Sequence, residues 1–352
     1  MITRRLTTSI LAAALATTAC GEGQSPTQAT TSATPPASSA APSATATSAP
    51  SVTATTAASP SSSSLPAAPT PSPTVFPTTT AAALGRILIL RFPEPGPPAY
   101  FVVKADGSDE QPFGPGGDYE ARQVSPDGSL LSVVGPNSRG VIVGGTIGLD
   151  GSGFLLFENP EPTLNLACGI WGPDDRIACE SWSDADPSVA GIRTVLAADG
   201  SGPQQLTTER DIPCDYSPDG SQLAFVREST DGNGSTLMVV SSEGGEPEAL
   251  LEDVAESGLP CDWAPDGSSI LTATTDGELQ LVTTEGDSAP FIGDGLDGYI
   301  YNGIWSSDGS RILLTMGFVG EQGDVYTIAA DGSDLRRVTS SELLEEGIVW
   351  LP

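Results

Sequence analysis

One ten-residue pattern returns five times along this chain: "SPDGSLLSVV" at Ser125, "GPDDRIACES" at Gly172, "SPDGSQLAFV" at Ser217, "APDGSSILTA" at Ala264 and "SSDGSRILLT" at Ser306. The copies start 47, 45, 47 and 42 residues apart. A second signal, an acidic residue followed by Gly, recurs at Asp106, Asp150, Asp199, Glu243, Glu285 and Asp331, at intervals of 44, 49, 44, 42 and 46 residues. Two ladders of different residues share one period, so a single supersecondary unit is used repeatedly. Its residue types fit a tight hairpin. Pro presets φ at the first turn position, Asp accepts the second and Gly takes the left-handed third, which makes a type I turn followed by a bulge. The flanks, as in "LAFV" (223–226) and "ILLT" (312–315), predict alternating strands, and hardly any run from residue 84 onward has helical period.

A unit of 42–47 residues holding about four short strands predicts a β-propeller blade. The ends of the chain give the blade count. "GIVWLP" (347–352) copies "GIWSSD" (303–308) as far as the turn, with Trp350 45 residues after Trp305, and then the chain stops. The missing partners are at the other end: "GRILILRF" (85–92), "AYFVVKADG" (99–107) and "EQPF" (110–113) read as the remaining three strands of that blade. The predicted fold is all-β, a six-bladed β-propeller closed by the C-terminal strand joining N-terminal strands, an arrangement that leaves no exposed sheet edge around the ring. Trp171, Tyr216, Trp263, Trp305 and Trp350 each precede the turn position, and one slot shared by five blades predicts packing between neighbours. The turn aspartates Asp127, Asp174, Asp219, Asp266 and Asp308 are explained by turn chemistry and are assigned no metal or catalytic role.

The full cycle, W/Y-S-P-D-G-S-x-L-A-F followed by D-G, covers nearly all of residues 84–352 and resembles the WD40-like (PD40) repeat of TolB-type propellers. That resemblance implies protein–protein contact in a cell envelope. The usual companion N-terminal domain of that family has no counterpart in this sequence, where a stalk takes its place.

The first twenty residues, "MITRRLTTSILAAALATTAC", hold Arg4 and Arg5, an apolar run from Ile10 to Ala16 and small residues up to Cys20. This is the pattern of an export signal, too short for a comfortable membrane span. It resembles a bacterial lipoprotein signal (1–20) with Cys20 as the lipidated residue, although Thr17 stands where a leucine is usual. Residues 21–83 form the next segment. From 24 to 83 it is almost wholly Ser, Thr, Ala and Pro, without a charged residue and with one aromatic, Phe76. It cannot bury enough surface to fold and predicts a disordered stalk with a reach of up to ~190 Å when extended. The expected location is the extracytoplasmic face of the cell membrane, with the lipid anchor as the only membrane contact.

The 84–352 domain carries 12 of the 14 basic residues and 44 of the 45 acidic ones. Nucleic acid and anionic membrane surfaces are repelled by such a charge, while cationic partners and solubility are served by it. Histidine is absent. This removes His-dependent hydrolases and His-ligated metal sites. Cys168, Cys179, Cys214 and Cys261 are four cysteines in an exported domain, so disulfides are expected. Proximity favours 168–179 with 214–261. A bulged turn of the usual length, however, sets Cys168 opposite Glu180, which turns Cys179 to the other face and opposes the first bond. Asp175, in place of the usual Gly, leaves that register open.

The segment "CESWSDADPSVAG" (179–191) reads as a long loop holding Glu180, Asp184 and Asp186 beside Trp182, and its spacing completes no calcium loop. "STDGNGST" (229–236) is ordinary hairpin chemistry. Trp182, Tyr299 and Tyr301 are candidate partner contacts. No catalytic residue, metal site or cofactor is assigned, and a monomer is expected. The reading that fits these features is a non-catalytic envelope platform that binds a protein or a glycan. A His-independent, calcium-dependent propeller enzyme and a small-ligand sensor are the alternatives.

Overall fold

The computed structural model describes residues 85–352 except 94–95, 115–118, 160, 230–233, 256–259, 292, 294, 297 and 318–322. The signal segment with Cys20, the stalk and the centre of the 229–236 hairpin lie outside the described residues. The described residues form six four-stranded antiparallel sheets and contain no helix. Blade one joins β1 (Arg86–Phe92), β2 (Ala99–Lys104) and β3 (Gln111–Phe113) to the last strand, β24 (Leu344–Leu351), in the order β24-β1-β2-β3. Blade two is β4 (Glu120–Val124), β5 (Leu130–Pro136), β6 (Ile142–Gly148) and β7 (Leu155–Leu156). Blade three is β8 (Leu164–Trp171), β9 (Arg176–Ser183), β10 (Ala190–Leu196) and β11 (Gln204–Gln205). Blade four is β12 (Asp211–Tyr216), β13 (Gln222–Arg227), β14 (Ser235–Ser241) and β15 (Glu248–Val254). Blade five is β16 (Cys261–Trp263), β17 (Ile270–Ala273), β18 (Leu279–Val282) and β19 (Ser288–Pro290). Blade six is β20 (Tyr299–Trp305), β21 (Arg311–Gly317), β22 (Asp324–Ala329) and β23 (Arg336–Arg337).

The first strands β4, β8, β12, β16, β20 and β24 touch one another in cyclic order, so they are innermost and ring a central channel. β24 pairs with β1 from Arg86↔Leu351 to Phe92↔Leu344, the closure that the terminal sequences predict.

The second strands depart from the alternation expected of them. Leu223 to Val226 and Ile312 to Thr315 are buried without a break. The cause is visible in β1, where Leu88 and Leu90 pack with Leu131 and Val133 of blade two, while Ile87 and Ile89 pack with Leu313 and Val325 of blade six. Period-two geometry is kept, but both faces are covered, and a strand buried on both faces is written as a continuous apolar run.

The turns follow their residues. Gly128 N–H donates to Ser125 O at 2.8 Å with Gly128 at φ 70°, and Asp127 Oδ1 accepts from Ser125 Oγ at 2.6 Å and from Ser129 N–H at 3.0 Å. Asp219 and Asp308 repeat this bonding, and the Ser217 and Ser221 donors pull the Asp219 carboxyl down to about 2. Blade three differs. Asp174 and Asp175 both have positive φ, 56° and 54°, and Arg176 N–H closes the turn on Pro173 O. Both central residues left-handed is the type I′ arrangement, one residue shorter than the other hairpins.

That shorter turn corrects the strand register. Ala167, not Cys168, lies opposite Glu180, the bulge falls at Gly169, and Cys168 pairs with Cys179. A Cys168–Cys179 disulfide spans the pair, with a Cα–Cα distance of 3.8 Å.

Candidate functional site

Antiparallel blades give the ring two unlike faces. The repeated turns occupy one, here the turn face. The starts of the innermost strands and the ends of the second strands lie on the other, the loop face. Half-exposed side chains on the innermost strands face the channel between them.

At the turn end of the channel, a hydrogen-bonded chain crosses five blades. Gln123 Oε1 accepts from Trp171 N–H at 2.8 Å, and its Nε2 donates to Asp215 Oδ1 at 2.8 Å. Asp215 also accepts from Tyr216 N–H at 2.9 Å and, through Oδ2, from Trp263 N–H at 3.1 Å. Asp262 hydrogen bonds the Asp215 carboxyl and accepts from Trp305 N–H at 2.7 Å. Gln123, Asp215 and Asp262 share one slot, immediately before the turn-preceding residue, and each clasps the backbone of the next blade. Ile170, Ile304 and Val349 fill that slot in the other blades. Burial pushes Asp215 up to about 6, and burial together with the Asp215 charge raises Asp262 well above the carboxylate range. Two adjoining carboxyls with no cation beside them hold one proton between them more readily than two charges.

Nearer the loop face, Glu346 on β24 is pushed up to about 7 by burial and by Glu120 on β4, against a smaller opposing effect of Arg122. Arg122 itself pairs with Glu120 at 2.6 Å.

The turn-preceding aromatics sit between blades. Trp171 Nε1 donates to Gln123 O at 3.0 Å and Trp350 Nε1 to Ile304 O at 3.1 Å, each reaching the preceding blade. A second disulfide, Cys214–Cys261, links β12 to β16 with a Cα–Cα distance of 5.5 Å. It joins two blades, whereas Cys168–Cys179 lies within one. The sequence separations are 47 and 11, and a longer loop restricts the unfolded chain more, so within the ~2–4 kcal/mol typical of a bridge the inter-blade bond stands higher. The Cys214→Ser/Cys261→Ser variant is expected to melt below the Cys168→Ser/Cys179→Ser variant in calorimetry. The reverse order removes the chain-entropy account.

The candidate contacts separate. Tyr299 and Tyr301 lie on β20 at the loop face, 61% and 39% exposed. Trp182 is not in a loop: β9 runs to Ser183, Trp182 pairs with Asn165 and Ala190, and it is half-buried. The acidic group around it is divided accordingly. Glu180 is in the strand opposite Ala167, Asp184 Oδ2 accepts from Asn165 Nδ2 at 3.3 Å, and Asp186 Oδ1 accepts from Ser188 N–H at 3.0 Å. Asp215 and Asp262 escaped the sequence reading. Their signal was present in "PCDYSPDG" and "PCDWAPDG", a carboxylate before the aromatic in consecutive blades.

No family model matches the sequence and no curated protein sequence matches it. Solved structures do. TolB from Acinetobacter baumannii is 15% identical with a TM-score of 0.59, over 76% of this chain and 67% of that one. A TolB from Agrobacterium tumefaciens, described as putative in its own structure report, is 17% identical with a TM-score of 0.50, over 73% and 88%. A chain of the nidogen/laminin complex is 12% identical with a TM-score of 0.52, over 70% and 89%. A puromycin hydrolase and a puromycin-hydrolysing peptidase of Mycobacterium tuberculosis also match, at 18% and 13% identity with TM-scores of 0.49 and 0.45. The expectation that the chain is no enzyme is corrected by a chain of the Kuenenia stuttgartiensis hydrazine synthase, 12% identical with a TM-score of 0.56 over 76% of this chain and 47% of that one: a similar fold occurs within an enzyme, so the fold does not exclude catalysis. At such similarity these matches assign no chemistry to this chain. What the comparisons establish is the fold, a six-bladed β-propeller of the TolB type.

Proposed function

We propose that this propeller is a protein-docking platform of the cell envelope, held at the extracytoplasmic membrane face by a lipid on Cys20 and carried on the 21–83 stalk. The carrying observation is the loop face of blade six. Among the described residues, Tyr299 is the most exposed large apolar side chain, and Tyr301 lies two residues along the same strand. Exposed tyrosines on a rigid strand provide large contact area at low entropic cost. The solved nidogen/laminin complex supports the reading by showing a similar ring in a protein assembly. Photo-crosslinking probes at position 299, compared with probes at Glu243 on the turn face, test it on intact cells. One protein captured from 299 and not from 243 is the expected result. Equal capture from both, or capture of glycan alone from 299, overturns it. The anchor is tested separately. Cys20→Ala is expected to move the protein from the detergent phase to the aqueous phase on phase partition, and an unchanged distribution rejects lipidation at Cys20.

A further inference from the structure

Between Arg227 and Arg311 the chain has no lysine or arginine, yet it carries 17 acidic residues. Every basic residue after position 84 is among the described residues, and of the ion pairs among those residues only Arg210–Glu228 reaches into this stretch. The stretch runs from the end of β13 in blade four through blade five to the innermost strand of blade six. Among the described residues its carboxylates are therefore left largely without close counter-ions from within the domain.

Part of it is gathered at the loop face. Asp253, at the end of β15, is tied to the turn between β17 and β18, because Thr275 N–H donates to Asp253 O at 2.9 Å and Val254 bridges Thr274. That turn carries Asp276 and Glu278, and all three carboxylates are exposed. Blade six, next in the ring, presents Tyr299 and Tyr301 on the same face. The turn face of these blades is also acidic, at Glu243, Glu285 and Asp287, but among the described residues no exposed aromatic accompanies those groups.

Resting on the docking reading above, we infer that the loop face of blades five and six receives a polycationic, Lys/Arg-rich segment of a partner protein. Carboxylates without close counter-ions attract such a segment and set its orientation. A cation over a tyrosine ring adds a short-range attraction that a purely acidic patch lacks.

The test uses the full-length protein and a fluorescent peptide of about ten lysines, read by anisotropy. Binding is expected, weakening about tenfold or more between roughly 50 and 300 mM salt as screening shortens the reach of the charges. The Asp253→Asn/Asp276→Asn/Glu278→Gln variant is expected to weaken binding about tenfold and Tyr299→Ala/Tyr301→Ala several-fold. A turn-face control, Glu243→Gln/Glu285→Gln/Asp287→Asn, removes the same charge and is expected to cost less than about twofold. Variants are compared only where their melting temperatures match the parent's. Absence of binding, or equal loss in the control, overturns the cationic partner. The crosslinks from position 299 judge the platform independently: capture there by a segment without basic residues keeps the platform and rejects this inference.

Discussion

Removing Ile348 to Pro352 is expected to unfold the ring. The deletion takes the second half of β24 and its pairing with Arg86, Ile87 and Leu88. Ile348, Val349 and Leu351 are buried in the core shared by blades one and two, and the Ile304 carbonyl on blade six loses its Trp350 Nε1 donor. At roughly 2 kcal/mol for each fully buried aliphatic side chain, the three together are worth about 6 kcal/mol. That is comparable to the whole stability of an ordinary domain, about 5–15 kcal/mol. The Arg91–Glu345 ion pair across the same seam survives the deletion, with Arg91 Nε donating to Glu345 Oε1 at 2.6 Å. It does not offset the loss, because a partly buried ion pair returns little beyond its own desolvation. A fall of about 15 °C or more in the melting temperature is expected by calorimetry, with aggregation through the uncovered edge of β1. An unchanged melting curve means that the ring does not depend on this closure.

The blade count and the closure were legible because they are written in local chemistry. Each Pro-Asp-Gly turn announces its hairpin without reference to anything distant, and "GIVWLP" (347–352) shows a strand whose hairpin partner has to come from elsewhere. Features decided between blades were harder to read. Leu223 to Val226 carries no trace of alternation, because Ala224 and Val226 face blade five while Leu223 and Phe225 face blade three. The cysteine register hung on a single residue. Asp174 and Asp175 make a shorter turn than Asp-Gly-Ser, and this moves Cys168 from opposite Glu180 to opposite Cys179. Asp215 and Asp262 stand near strand ends, and their work appears only when the next blade offers a backbone N–H.

Those two carboxyls lead to the remaining large effect. Replacing Asp215 by Ala strands three donors, Tyr216 N–H, Trp263 N–H and Gln123 Nε2, in a part-buried place beside the channel. At the low end of about 1–3 kcal/mol for each unmet group, as suits part-buried donors, the cost is about 3 kcal/mol. Asp262→Asn should act in the opposite direction at neutral pH. The amide still accepts from Trp305 N–H and can donate to the Asp215 carboxylate, which removes one of two neighbouring buried charges. The sign of the pH dependence follows from the same geometry. Asp215 at about 6, Asp262 well above its ordinary value and Glu346 at about 7 all titrate higher in the folded chain than in the unfolded one. Between about pH 4 and 7 the folded state therefore holds protons that the unfolded state lacks, and stability rises as pH falls through that window. Below about pH 4 the trend reverses, because carboxyls such as Asp219, held down to about 2 by their serines, must then be protonated. The parent protein is expected to melt highest near pH 4. Asp262→Asn is expected to raise the melting temperature at pH 8 and to flatten the profile between pH 5 and 8. A parent profile that climbs steadily from pH 5 to 8 would show that the two aspartates stay ionised, and that the clasp between blades four and six is carried by charge, not by a shared proton.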